Sequence, residues 1–228
     1  MIMKMKMLSS DIEAVIFDLD GTLADSMWMW ADIDREYLSR FALEEKPELM
    51  GEVAGMNMVE TAVFFKQHFH IPDSIDKIIA DWIEMSLDKY KHEVNLKPYA
   101  ADLLKFLKAN GIKTAIASSN AIEMIRACLK SNGVEDMFDA VVSASEVEHG
   151  KPAPDVYLLA AKRIGADPAK CLVFEDIPAG LRAGKAAGMK TIGVSDKYSE
   201  GSESEMRAEA DRYYPGFKEF LEAEGVIG

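Results

Sequence analysis

Five short apolar runs, rich in Val, Ile and Ala, recur along this chain: Ala14–Phe17, Lys113–Ala117, Ala140–Ser143, Cys171–Phe174 and Thr191–Val194. Between the later runs lie stretches with apolar residues at helical spacing: Ala100–Ala109, Ile122–Ser131, Asp155–Ile164 and Ala179–Ala187. A strand that is apolar throughout must be covered on both faces, and alternating helices supply that cover. The pattern therefore predicts an α/β fold, a Rossmann-like parallel sheet with helices on both faces. Gly111, Gly133, Gly165 and Gly188 each follow a helical pattern, which is where a C-terminal glycine cap is expected.

The alternation is interrupted once. From Asp25 to Val94 no convincing strand is present. Helical stretches occupy that interval, at Ser26–Phe41, Pro47–Val53, Val59–Phe69 and Ile75–His92. This reads as an all-helical domain, residues 25–94, inserted into a core of residues 1–24 and 95–228, with Pro98 marking the return. The first part of the polar, acidic segment SDKYSEGSESEMRAEAD is expected to be an exposed loop.

With 228 residues, nearly half of them apolar, the chain can bury a sizeable core. A net charge of −13 leaves no basic face for nucleic acid. It also means that an anionic ligand needs local cations, from a metal or from placed lysines. Cys128 and Cys171 are too few for a disulfide framework and fit no metal-ligand spacing, so free thiols in a reducing cytosol are expected. The stretch MIMKMKMLSS alternates Met with Lys and is a poor signal peptide, and no apolar run approaches the ~18–20 residues of a membrane span. The expectation is a cytoplasmic protein without membrane partners, a monomer or weak homodimer.

In open parallel sheets, ligands bind beyond the carboxyl ends of the strands. The first strand runs into Asp18 and Asp20, and the second into Ser118, Ser119 and Asn120. Lys151 lies in the loop EVEHGKPAP after the third, and Glu175 and Asp176 follow the fourth. In a parallel sheet these groups can converge on one edge. Two like charges ~4 Å apart repel by about 4 kcal/mol at an effective dielectric near 20. Something must therefore neutralise four carboxylates. Oxygen donors without His or Cys favour Mg²⁺ over Zn²⁺. A carboxylate nucleophile, Mg²⁺, a lysine and a hydroxyl are what phosphoryl transfer requires.

Four motifs, DLDGT, Ser118 in AIASSN, Lys151 in GKPAPD, and EDIPAG, together resemble the haloacid dehalogenase-like phosphohydrolases. The likeness is to the branch with a helical cap after the first strand, which includes phosphoglycolate phosphatases and β-phosphoglucomutase, and it runs from Val15 to about Val194. The resemblance implies a Mg²⁺-dependent phosphatase acting on a small phosphorylated metabolite through an aspartyl-phosphate. It implies Asp18 as nucleophile, and Asp20 as acid and base with its carbonyl on the metal. Asp18, Asp20, Glu175 and Asp176 would form the metal site, while Ser118 and Lys151 would hold phosphoryl oxygens. Thr22, whose hydroxyl can reach Asp20 or the loop, stands with Ser119, Asn120 and Trp28 as a candidate substrate contact. Asp20 favours an ester, because an alkoxide leaving group needs a proton donor.

Competing readings attach to several residues. Asp-x-Asp-Gly is not an EF-hand loop, since later loop positions do not fit. Glu175 and Asp176 can cap the following helix, and Ser119 or Asn120 can cap the one after the second strand. His68 and His70 lack metal partners, and His149 borders the lysine loop. Met29, Ile33, Tyr37 and Phe41 share one helical face, so the Met27–Trp30 run mostly means packing. Trp28 falls off that stripe, and either Trp28 or Trp30 can meet substrate. A sugar-phosphate mutase is the alternative within the family. Its members carry a basic cap residue shortly after a glycine, and Met58 aligns there. A degenerate regulatory protein has no support, since every catalytic residue is present. Receiver domains place their acidic pair before the acceptor aspartate, whereas here the pair comes last.

Overall fold

The computed structural model describes residues 7–8, 11–44, 49–53 and 56–228. Strand β1 (Ala14–Phe17) runs into a turn and then β2 (Ala24–Asp25). Helices α1 (Met27–Ser39), α2 (Leu49–Glu52), α3 (Met58–His68) and α4 (Ile75–His92) follow. Strand β3 (Asn95–Leu96) pairs antiparallel with β2, so the chain leaves for the helical segment and returns from it side by side. Then come α5 (Ala100–Ala109), β4 (Lys113–Ser118), α6 (Ile122–Ser131), β5 (Ala140–Ser143), α7 (Asp155–Ile164), β6 (Cys171–Glu175), α8 (Pro178–Ala186) and β7 (Lys190–Val194). The chain finishes with α9 (Glu203–Glu209), β8 (Arg212–Tyr214) and α10 (Phe217–Glu224). Pro47, the expected start of the second helical stretch, and most of MIMKMKMLSS lie outside the described residues.

Among the described residues, six strands form one parallel sheet in the order β5-β4-β1-β6-β7-β8. Successive side chains on each strand point to opposite faces and enter two separate cores. Val15, Phe17, Leu172 and Phe174 join Leu103, Leu107, Phe217 and Phe220 from α5 and α10. Ala14, Ile16, Ala117 and Val173 join Val156, Tyr157 and Ala183 from α7 and α8. The result is a three-layer α/β sandwich, as the apolar runs require.

All four expected glycine caps have positive φ, between 61° and 77°. Two elements are not foreseen from the sequence. The sixth strand, β8, is a three-residue edge strand too short to show alternation. Helix α9 occupies the later part of SDKYSEGSESEMRAEAD, after the first part, where a loop is expected. No helix among the described residues is long and apolar enough to cross a membrane.

Candidate active site

Strand register brings the carboxylates together. Phe17 is level with Phe174, and the two rings stack 5.2 Å apart. One residue further, Asp18 and Glu175 leave the adjacent strands β1 and β6, tied by the bond from Asp18 N–H to the Phe174 carbonyl at 3.1 Å. This is also where the strand order reverses, since the chain builds to one side of β1 through β4 and β5 and to the other through β6. Lys151, on the loop before α7, is buried between them. Its Nζ donates to Asp18 Oδ1 at 2.6 Å, to Glu175 Oε1 at 2.5 Å and to the Ala117 carbonyl at 3.2 Å. Tyr157 of α7 adds a second donor to Glu175 Oε1 at 2.5 Å.

Asp18, Glu175 and Asp176 each place a carboxylate oxygen within 4.8 Å of the others. Two glycines permit this. Gly21 turns the chain at φ 74°, and a Cβ there would lie 2.2 Å from Asp176 Oδ2. At Gly180, on the first turn of α8, a Cβ would lie 1.9 Å from Glu175 Oε1. Thr22 is buried and donates to Asp176 Oδ1 at 2.9 Å rather than to Asp20. Three buried carboxylates face one lysine, and all the donors are hard oxygens. That donor set fits a divalent cation of the magnesium type.

Asp20 stands apart from this group. Its Oδ1 accepts from Ser26 Oγ and from Tyr90 O–H at 2.6 Å, and its Oδ2 accepts from Asn120 Nδ2. Asn120 also donates to the Tyr90 oxygen at 2.7 Å. Tyr90 lies in the last turn of α4, so the helical segment touches both Asp20 and the end of β4.

A model of the haloacid dehalogenase-like hydrolase family matches residues 15–194. The chain belongs to the haloacid dehalogenase-like hydrolases. It is 35% identical over 194 residues to the bifunctional riboflavin kinase/FMN phosphatase of Arabidopsis thaliana, a match covering 83% of this chain and 49% of that one. The chain thus spans about half the length of that relative. It is 29% identical over 191 residues to the phosphorylated carbohydrates phosphatase of Thermotoga maritima, covering 83% and 88% of the two chains. The crystal structure of CbbY from Rhodobacter sphaeroides in complex with phosphate superposes with a TM-score of 0.84 at 27% identity, covering 94% of this chain and 99% of that one.

Burial dominates the electrostatics of this hydrolase's site. It pushes Asp18 up to about 7, against the pull of Lys151 and with a further push from Glu175. Burial likewise raises Asp176 well above the usual carboxylate range, with Glu175 and Asp18 adding to it. It raises Asp20 too, against hydrogen bonds from Ser26, Tyr90, Trp30 and Asn120. For Lys151, burial works against the charge, but Asp18 and Glu175 outweigh it and hold the ammonium above its ordinary value. Asp18, Asp20 and Asp176 therefore resist ionisation until more positive charge arrives.

A cavity of about 260 Å³ opens over these groups. Asp18, Asp20, Ser118, Ser119, Asn120, Lys151 and Asp176 line its floor. Thr22 does not line it, and neither does Trp28. The Trp28 indole donates to the Asp25 carbonyl at 2.9 Å, and its ring lies under Lys89. Met27 and Trp30 line the wall instead. Met29, Ile33 and Tyr37 are buried as the stripe predicts. Neither Ser119 nor Asn120 caps α6, whose N-terminus has no side-chain cap. Similarly, α8 begins after Ile177 without one, so Glu175 and Asp176 are spared for the site. His68 stacks on Phe64 at 5.0 Å, and the exposed His149 lies 3.6 Å from Asp155. Neither belongs to the acidic group.

Sequence reasoning missed Tyr90, Tyr157, Ser26 and the wall residues Trp82, Tyr198 and Ser202. Ser26 carries a usable signal, a hydroxyl six residues after the aspartate, just before α1 begins. The Trp82 indole N–H is the buried side-chain polar atom left without a partner among the described residues.

Proposed function

We propose that the protein is a Mg²⁺-dependent phosphatase of a small phosphorylated metabolite, working through an aspartyl-phosphate on Asp18. The observation that carries this reading is the pairing of Asp18 with the buried Lys151 beside Glu175 and Asp176, at the strand ends where the sheet order reverses. Relatives named as phosphatases support it.

In this reading an Asp18 oxygen attacks phosphorus while Lys151 and Ser118 hold phosphoryl oxygens. The phosphorus–oxygen ester bond breaks, and Asp20 gives its proton to the departing alkoxide. Burial pushes Asp20 above the usual carboxylate range, against its hydrogen bonds from Ser26, Tyr90, Trp30 and Asn120. Asp20 then takes a proton from the water that attacks the aspartyl-phosphate, and phosphate leaves. Asp18, Asp176, the Asp20 carbonyl and, directly or through water, Glu175 would hold magnesium, which would supply positive charge favouring ionised Asp18 and offsetting the phosphoryl oxygens. Residues 25–94 act as a cap on the core of residues 1–24 and 95–228, hinged at the β2–β3 ribbon and excluding bulk water during chemistry. Free, buried Cys128 and Cys171 support a reducing compartment such as the cytoplasm.

The mutase alternative needs a cation for the second phosphate. Met58 lines the cavity, which disfavours it. The test is hydrolysis of 4-nitrophenyl phosphate with and without Mg²⁺, for the wild type and Asp18→Asn. Activity is expected only in wild type with metal. A fully active Asp18→Asn protein would overturn the mechanism.

A further inference from the structure

The part of the cavity wall that the helical segment supplies is mostly apolar: Met27, Trp30, Val53, Met56, Met58 and Trp82 line it. Among the described residues, Lys151 is the one cation that lines the cavity, and it is already committed to Asp18 and Glu175. Three basic residues of the helical segment are engaged elsewhere. Lys66 donates to the Ile71 and Asp73 carbonyls, Lys77 pairs with Asp81, and Arg40 packs against Asp81 and Glu36. Buried Asp34 also lines this wall. A second phosphate reaching this end of the cavity meets sulfur or aromatic surface and, among the described residues, no cation other than Lys151.

We infer that the site selects phosphate monoesters whose leaving group is uncharged and presents an apolar or aromatic face, and that it rejects bisphosphates. The inference rests on the phosphatase reading and names its substrate class. A cavity of about 260 Å³ holds a phosphoryl group with a leaving group of roughly one ring. Methionine and tryptophan side chains suit a flat ring, since both offer polarizable surface that adapts to it. A polyhydroxylated leaving group gains less, because it offers less apolar surface to Met27, Trp30, Met56 and Met58.

The experiment compares esters of primary alcohols, so that leaving-group acidity is matched. Benzyl phosphate is set against glycerol 3-phosphate, and fructose 6-phosphate against fructose 1,6-bisphosphate, each with Mg²⁺. Burying roughly 100 Å² of ring at about 25 cal/mol per Å² corresponds to about 70-fold in kcat/KM, so benzyl phosphate is expected to lead glycerol 3-phosphate by ~10–100-fold. The monophosphate of fructose is expected to exceed the bisphosphate by at least ~10-fold. In Met58→Lys that second ratio should shrink or reverse, and in Trp30→Ala the benzyl advantage should shrink, with melting temperatures showing that both variants fold. Calorimetry of benzylphosphonate against methylphosphonate reads the same preference without turnover. A bisphosphate preferred in the wild type, or benzyl ligands no better than the polar or small ones, overturns the inference. Absence of all Mg²⁺-dependent hydrolysis alongside tighter benzylphosphonate binding instead strikes at the phosphatase reading and leaves the preference standing.

Discussion

The tightest approach in the site lies between a helix backbone and a carboxylate, and a single methyl group tests it. In Gly180→Ala the added Cβ would stand 1.9 Å from Glu175 Oε1, 2.0 Å from Cδ and 2.4 Å from Oε2. The whole carboxyl group collides, so rotating it in place gives no escape. Glu175 must withdraw, and Oε1 then leaves Lys151 and Tyr157, each 2.5 Å away. Alanine in a helix is favoured over glycine by about 1 kcal/mol. Breaking a buried ion pair costs about 3–5 kcal/mol. The net expectation is a loss of ~2–4 kcal/mol, which lowers the melting temperature by about 5–15 °C in a chain of this size. Lys151 would keep Asp18 but lose its second anchor, so hydrolysis of 4-nitrophenyl phosphate should fall at least ~10-fold. Gly111→Ala is the control. Its φ is 70° and nothing lies within 4 Å, so it should cost about 1–2 kcal/mol and leave turnover intact. A Gly180→Ala protein that melts no lower than wild type and keeps full activity would refute both the packing argument and the anchoring role of Glu175.

Two further expectations concern protons. Asp18 titrates near 7 in the folded metal-free protein against an ordinary 3.8, so the folded state binds its proton more tightly than the unfolded chain. Stability without metal should therefore fall as pH rises from about 4 to 7, and Asp176 and Asp20 act with the same sign. Melting curves in EDTA should show that slope, flattened in Asp18→Asn; a slope unchanged by the substitution would remove Asp18 as a cause. Tyr90→Phe deletes the 2.6 Å hydrogen bond to Asp20 and an acceptor for Asn120. If Tyr90 positions the proton on Asp20, alkyl phosphates should lose ~10–100-fold in kcat, while 4-nitrophenyl phosphate, whose leaving group needs no proton, loses under ~3-fold. Equal losses on both esters would reduce Tyr90 to a packing role.

What could be foreseen here depended on how far a residue's position follows from its own strand. Asp18, Ser118, Glu175 and Asp176 were legible because parallel register carries consecutive strand ends to one edge once the apolar runs are recognised. Lys151 was legible through its GKPAPD motif, though its bonds to both Asp18 and Glu175 needed the loop to be folded. Thr22 shows where such reasoning stops. It sits two residues from Asp20, but the turn at Gly21 aims it at Asp176, 154 positions away. Trp28 and Trp30 differ by two helical positions, about 200° of rotation, and a stripe argument cannot say which of the two off-stripe faces meets the cavity. Tyr90 carries no local signal at all: it lies on the apolar face of an amphipathic helix, where a buried tyrosine is ordinarily packing. Its hydroxyl matters only because α4, packed against α6, brings it to Asp20 and Asn120 in the turns that follow β1 and β4. The floor of the site is thus set by strand order and register, which repeat along the sequence. The wall is set by how the helices of the inserted segment rotate against one another, which does not repeat, and relatives that share the floor can differ in the wall.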